Sequence, residues 1–190
     1  MLTRPQRRAV LVGTCLSVEL GENAPKVNSM TATDIEIRSF GESDLGWAVP
    51  LLERDFGSSK VAACGEIVDA AELPGMVALN GDEPLGLATY RLEDDDCELV
   101  TLNSVVQGVG AGTALIKAVT TAATATGCGR LWLVTTNDNL HALGFFQKRR
   151  FEIAAVHPSA VNRSRTLKDI PLIGNDGIPI RDEIELQLRL

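Results

Sequence analysis

The chain has 190 residues, which is enough for one domain whose own core needs no metal ion or disulfide for support. Its formal net charge of −7 argues against nucleic acid as the main partner and favours a neutral or cationic ligand. The four cysteines and two histidines are scattered, without metal-ligand spacing, so they predict reduced thiols in a cytoplasmic protein and no metal site.

Residues 1–33 are interpreted as an N-terminal extension, loosely attached to a single domain that spans residues 34–190. Three arginines precede the apolar run 9–18, and this arrangement superficially resembles a signal peptide. No small-x-small cleavage site follows cleanly, and the run is too short to span a bilayer. We therefore favour an upstream start over export and expect no membrane association.

Six short segments are predicted in the front half of the chain. They are a strand at residues 35–40, a helix at 42–56, a second short helix at 65–71, the two strands of a hairpin at 75–79 and 85–92, and an acidic turn at 93–96. The first helix is indicated by Leu45, Val49 and Leu52, which recur at helical spacing. The hairpin is indicated by Asn80-Gly81, because both residue types accept the positive φ angles of a tight hairpin turn.

A glycine-rich turn at residues 106–113 is the most informative stretch of the sequence. It follows a run rich in β-branched residues, 97–106, which is typical of a strand. From Ala111 to Ala125 the apolar residues recur at i, i+3, i+4 and i+7, which predicts one face of a helix. The turn therefore lies at a helix N-terminus, where free N–H groups and the helix dipole favour an anion, most often a phosphate.

Three phosphate-binding patterns compete for this turn. A P-loop requires a lysine before its last Ser or Thr, and Gly112-Thr113 has none. A dinucleotide fingerprint requires a third glycine that the spacing from Gly108 or Gly110 does not supply. The pattern that fits is Gln/Arg-x-x-Gly-x-Gly/Ala, over residues 107–112. It resembles the pyrophosphate-binding signature of the GNAT superfamily of acetyl-CoA-dependent N-acetyltransferases. A turn that serves only tight packing is the alternative.

A second segment, at residues 131–151, strengthens the resemblance. Residues 131–136 predict a buried strand, and residues 137–139 predict the cap of a helix over residues 140–151. This helix is similar to the GNAT motif Asn-x-x-Ala-x-x-(Phe/Leu)-Tyr-x-Lys-x-Gly-Phe, with matches at Asn139, Ala142, Phe145, Lys148 and Phe151. Phe146 replaces the motif tyrosine and Arg150 replaces its glycine. Residues 178–190 are also similar to the last strand of a bacterial GNAT group.

The resemblance implies an α+β fold with a mixed, mostly antiparallel central sheet flanked by helices. The strand before the turn is expected to splay from its neighbour, so that the cofactor's pantetheine arm enters the gap. The implied cofactor is acetyl-CoA, and a homodimer is compatible with the family. The residues expected to bind the cofactor are Leu102, Ser104, Val105, Gln107, Gly108, Val109, Gly110, Ala111, Gly112, Thr113, Asn139, Ala142, Phe145 and Phe146.

The implied reaction is direct attack of a primary amine, from a small molecule or a peptide, on the thioester in a ternary complex. Glu98 is the expected base, and an outward-facing strand glutamate is its alternative interpretation. Glu53, Asp55 and Glu66 are the reserve candidates. A backbone N–H near Leu102 or Asn103 is expected to contact the oxyanion.

Phe146 removes the tyrosine that often protonates the departing thiolate in this superfamily. We expect solvent to donate that proton, with His141 as a substitute. Two other functions stay open at this point. One is a catalytically degenerate acetyl-CoA-binding sensor or partner module, and the other is a nucleotide-binding module. Acceptor specificity is expected in residues 50–75 and 158–178, because loops around a fixed site carry most substrate contacts.

Overall fold

The computed structural model describes residues 35–63 and 66–190, so the extension predicted over residues 1–33 lies outside the described residues. In chain order the elements are β1 (Glu36–Ser39), α1 (Leu45–Phe56), β2 (Lys60–Ala63), β3 (Glu66–Asp69), β4 (Gly75–Asn80), β5 (Glu83–Glu93), β6 (Asp96–Ser104), α2 (Ala111–Ala125), β7 (Arg130–Thr136), α3 (Leu140–Gln147), β8 (Glu152–His157), α4 (Val161–Ser164) and β9 (Glu183–Arg189).

Seven of the described strands form one mixed sheet, in the order β1-β4-β5-β6-β7-β9-β8. All neighbouring strands in it are antiparallel except β6 and β7, which are parallel. Strands β2 and β3 form a separate two-stranded hairpin. The architecture confirms the predicted α+β fold with a mostly antiparallel sheet.

The two faces of the sheet are covered by different helices, because successive side chains of a strand point to opposite faces. Leu99 of β6 packs in a core cluster with Leu115 of α2 and Phe146 of α3. The next residue, Val100, packs in a second cluster with Leu52 of α1. The glycine turn and α3 therefore lie on one side of β6, and α1 lies on the other.

The prediction of a short helix at residues 65–71 is wrong. Residues 66–69 form β3, which pairs with β2 in a register that sets Val61 opposite Val68. Only a 3-10 turn follows, at Ala70–Glu72, and the Asp69 carboxylate accepts a hydrogen bond from its backbone. Ile67 and Val68 are β-branched and favour extended backbone, and the cross-strand valine pair outweighs the weak helical spacing of so short a segment.

The helix predicted over residues 140–151 is confirmed as α3, but it ends at Gln147. The Asn139 side chain caps its start by accepting a hydrogen bond from the Ala142 N–H at 3.0 Å. The helix ends because Arg150 adopts a left-handed backbone conformation, with φ of 69°. The Phe151 N–H then bonds the Phe146 carbonyl at 3.2 Å and closes the turn. The related motif has glycine at this position.

Replacing Arg150 with glycine is expected to raise the free energy of unfolding by about 1 kcal/mol, because a side chain in the left-handed region is strained and glycine is not. Thermal or denaturant unfolding measures the change. Arg150→Ala is the matched control, since it removes the same side chain and keeps the Cβ. Equal stability of the two variants would contradict the strain argument.

Candidate cofactor and acceptor site

Strands β6 and β7 diverge, as the family resemblance implied. Their parallel pairing covers only three residue pairs, and Glu98 opposite Trp132 is the last of them. Beyond this pair β6 continues to Ser104 and β7 to Thr136 without pairing to each other. The remaining part of β6 therefore offers one backbone edge to whatever enters the gap.

A cavity of about 490 Å³ opens where β6 leads into the glycine turn. Its walls come from the end of β6, the turn, the first helical residues of α2 and one face of α3. The lining residues are Leu102, Ser104, Val106, Gln107, Gly108, Gly110, Ala111, Gly112, Thr113, His141, Phe145 and Arg149.

The turn presents a row of backbone donors. Gly108 and Gly110 adopt positive φ angles of 79° and 95°, which glycine reaches without strain. Within the described part of the chain, the N–H groups of residues 108–112 have no hydrogen-bond partner. The first turn of α2 also lacks an acidic residue. Free donors at the positive end of a helix dipole form an anion-binding cradle.

Most of the residues predicted to bind the cofactor line this cavity, and five do not. Val105 is exposed beside the cavity, and Val109 is a half-buried residue that packs against the core on the α2 side. Asn139 caps α3 and lines a neighbouring cavity. Ala142 and Phe146 are fully buried in the core, where they support α3 from behind.

Arg149 is a wall residue that the sequence analysis missed. Its guanidinium lies 3.5 Å from the centre of the Phe145 ring and donates to the Thr113 hydroxyl at 2.6 and 3.0 Å. The signal that would have found it is helical spacing. His141, Phe145 and Arg149 recur at i, i+4 and i+8, so one face of the segment lines the cavity.

Glu98 is not a solvent-facing strand residue. It is fully buried, and its Oε2 accepts a hydrogen bond from Arg91 Nε at 2.5 Å. Arg91 also approaches Glu93 at 3.2 Å and Glu66 at 3.6 Å. Burial lowers the pKa of Arg91, but the three carboxylates outweigh it and leave that pKa above its usual value. Glu98 therefore lies at the last paired position before the gap, beside a fixed cation.

Asp55 connects α1 to the diverging part of β6. Its Oδ2 accepts from Asn103 Nδ2 at 2.6 Å, and its Oδ1 accepts from Arg54 Nε at 2.6 Å. Asn103 is buried, and its own Oδ1 has no hydrogen-bond partner among the described residues. Of the other reserve candidates, Glu53 is exposed on α1 and Glu66 belongs to the Arg91 cluster.

His141 is placed at the cavity but is poorly suited to donate a proton. Burial, and then the charges of Lys148 and Arg149, lower the pKa of its imidazole below the usual value. The ring is therefore mostly neutral at pH 7, since even an unperturbed histidine titrates near 6.5.

The model of the acetyltransferase (GNAT) family matches residues 39–151, which include the glycine turn and the whole of α3. The chain belongs to the GNAT acetyltransferase family.

Known proteins resemble this chain in sequence and in fold. An uncharacterized protein of Bacillus subtilis, YdhI, is 41% identical over 69% of this chain and 83% of its own length. A GNAT acetyltransferase of Elizabethkingia anophelis, solved with acetyl-CoA bound, is 19% identical with a TM-score of 0.60, over 83% of this chain and 99% of its own. Naa50 of Arabidopsis thaliana, in complex with the bisubstrate analogue CoA-Ac-MVNAL, is 18% identical with a TM-score of 0.61, over the same shares.

The described residues of this GNAT domain contain neither a membrane-spanning helix nor a metal-binding cluster. No helix there is long and apolar enough to cross a membrane. No group of three or more His, Cys, Asp or Glu side chains is arranged to hold a metal ion in residues 35–63 and 66–190.

Proposed function

We propose that this protein transfers the acetyl group of acetyl-CoA to a primary amine of a small molecule or a peptide. The observation that carries the proposal is the row of unpartnered N–H groups at residues 108–112, next to the gap between β6 and β7. A diphosphate fits such a row, and an extended pantetheine arm fits a gap that exposes one strand edge. The nine predicted residues that line the cavity would hold it, with Leu102 and Ser104 at the β6 wall.

The reaction is direct attack in a ternary complex. The thioester supplies an activated acetyl group, the amine nitrogen forms the new C–N bond, and the C–S bond breaks as the CoA thiolate leaves. The amine must lose a proton. At pH 7 this costs about 4.6 kcal/mol for a lysine-like amine of pKa near 10.4, but about 1.4 kcal/mol for an α-amine near 8. A base therefore matters more for the lysine-like acceptor.

Glu98 is our proposed base, and Asp55 is its competitor. Both carboxylates lie on the side of β6 that faces α1. Glu98 is in the last residue pair of β6 and β7 before the gap, and Asp55 is hydrogen-bonded to Asn103. Arg91 holds the Glu98 carboxylate in place at this position through a hydrogen bond and an ion pair. Solvent is the proposed proton donor to the thiolate, since His141 is mostly neutral and Phe146 carries no hydroxyl.

The acceptor is expected to be cationic overall, because the chain carries a net charge of −7. Peptide amines are included because Naa50 binds a CoA–peptide analogue. We place this activity in the cytoplasm as part of the proposal, since the sequence predicts reduced thiols. Acceptor-side contacts are expected from α1 and β2–β3 and from the chain between β8 and β9.

The second candidate function is an acetyl-CoA-binding sensor that has lost catalysis. The observation in its favour is Phe146, which stands at the motif tyrosine and is fully buried in the core. Buried in this way, the position supplies no group that can act on the thiolate.

A thiol-release assay separates the two functions. We expect free CoA to appear when the protein and acetyl-CoA are offered polyamines, amino acids, aminoglycosides and peptides, with at least one acceptor raising the rate well above hydrolysis. Calorimetry on the same preparation checks that acetyl-CoA binds. Intact binding without release from any acceptor in the panel would favour the sensor and contradict the enzyme.

A further inference from the structure

Arg149 is a cation in the cavity wall whose hydrogen bonds are all made to neutral oxygens. Its Nε and Nη2 donate to the Thr113 hydroxyl, and its Nη1 donates to the Phe145 carbonyl at 2.8 Å. No carboxylate lies within ion-pair distance of it in the described ranges, 35–63 and 66–190. The chain has a net charge of −7, so acidic side chains are abundant. Because Arg149 pairs with none of those described, it is available to bind an external anion.

The guanidinium is also held in one position. Its Cζ lies over the Phe145 ring, 3.5 Å from the ring centre, and two of its nitrogens share the Thr113 hydroxyl. A stacked, forked guanidinium is suited to a phosphate, which it binds through two parallel hydrogen bonds. Burial lowers the pKa of Arg149, because its positive charge is poorly solvated in the cavity wall when no anion is bound.

Arg149 reaches the cavity from a different element than the donors of the turn. It projects from beyond the end of α3 and meets α2 at Thr113, after the five free N–H groups of residues 108–112. Coenzyme A carries two separate anionic centres, a diphosphate and a 3′-phosphate monoester. The N–H row accounts for one centre. Among the described residues that line the cavity, Arg149 carries a positive charge without an acidic partner, so it is available to the other centre.

We propose that Arg149 binds the 3′-phosphate of the cofactor and makes the protein selective for acetyl-CoA over 3′-dephospho-acetyl-CoA. This proposal rests on the proposed acetyl-CoA site. A phosphate monoester carries a charge of about −1.5 to −2 at pH 7, so one charge-assisted fork is expected to change the affinity about tenfold to a hundredfold. The Thr113 hydroxyl and Phe145 hold the guanidinium in place.

The test is a calorimetric cycle of two ligands and two proteins. The parent is expected to bind acetyl-CoA at least about tenfold more tightly than its 3′-dephospho form. Arg149→Gln can still donate to Thr113 but carries no charge, and it is expected to remove that preference while binding of the dephospho ligand changes little. Arg150→Gln is the matched control, because it removes one charge from the adjacent exposed residue and should keep the preference.

Two results would overturn the proposal. One is a parent that binds the two ligands equally, and the other is an Arg149→Gln variant that loses both affinities by the same factor, as a contact to the diphosphate or a structural role would produce. A parent that binds neither ligand would overturn the proposed function itself, and this result is distinct from the other two. Raising the salt concentration should weaken the parent's preference, since the contact is ionic.

Discussion

Replacing Gly110 with aspartate is expected to weaken acetyl-CoA binding more than about 100-fold. The substitution places a carboxylate at the N-cap of α2, among N–H groups that have no partner within the described chain. Two like charges about 4 Å apart repel by about 4 kcal/mol at the effective dielectric of a protein surface. Room for the side chain exists, because the nearest atom to an added Cβ is Ile35 Cδ1 at 3.7 Å.

Gly110→Asn is the control that separates charge from backbone strain. Asparagine matches aspartate in size, and both tolerate the left-handed conformation that φ of 95° requires. The Asn variant is therefore expected to lose much less affinity than the Asp variant in the same calorimetric titration. Equal affinity of the Asp variant and the parent would show that this turn is not the anion site.

Replacing Glu98 with glutamine is expected to lower turnover at neutral pH by about 10²- to 10⁴-fold, the range of a lost general base. The loss should shrink at alkaline pH, where the free amine accumulates without help from a base. The measurement is kcat as a function of pH with the best acceptor. Because Glu98 is buried against Arg91, thermal unfolding of the variant must accompany it.

Asp55→Asn is the comparison for this experiment, since the Asp55 carboxylate is also buried and contacts β6. A pH-dependent loss in Asp55→Asn, with a uniform loss in Glu98→Gln, would transfer the role of base to Asp55. A uniform loss in both variants would assign both carboxylates to the structure and leave solvent as the base.

Sequence patterns were sufficient to predict an element whose structure is determined by its own residues. Asn80-Gly81 predicted the β4–β5 hairpin, although Asn80 is the last residue of β4 and only Gly81 of the pair has a positive φ. The apolar period from Ala111 predicted α2 with its observed bounds. The prediction failed at residues 65–71, because β3 is determined by its pairing with β2 and not by its own spacing.

The part of the candidate site that is contiguous in sequence was predicted. The part that depends on contacts between distant residues was missed. The glycine turn is continuous in sequence, so its residues were found. Helical spacing could place Arg149 on the face of His141 and Phe145. Its contact with Thr113, 36 positions away, forms only in the fold. The ion pair of Glu98 with Arg91 had a readable signal. If residues are paired outward from the acidic turn at residues 93–96, Arg91 falls opposite Glu98, as it does in the register of β5 and β6.

The central claim is that the acetyl group passes from a cofactor held at this turn to an amine. The most direct measurement uses acetyl-CoA labelled with ¹³C in the acetyl group and the best acceptor from the thiol-release screen, with mass spectrometry of the product. We expect one labelled N-acetyl product for each thiol released, and loss of both in Gly110→Asp. Thiol release without labelled amine, or labelled product undiminished in Gly110→Asp, would contradict the claim.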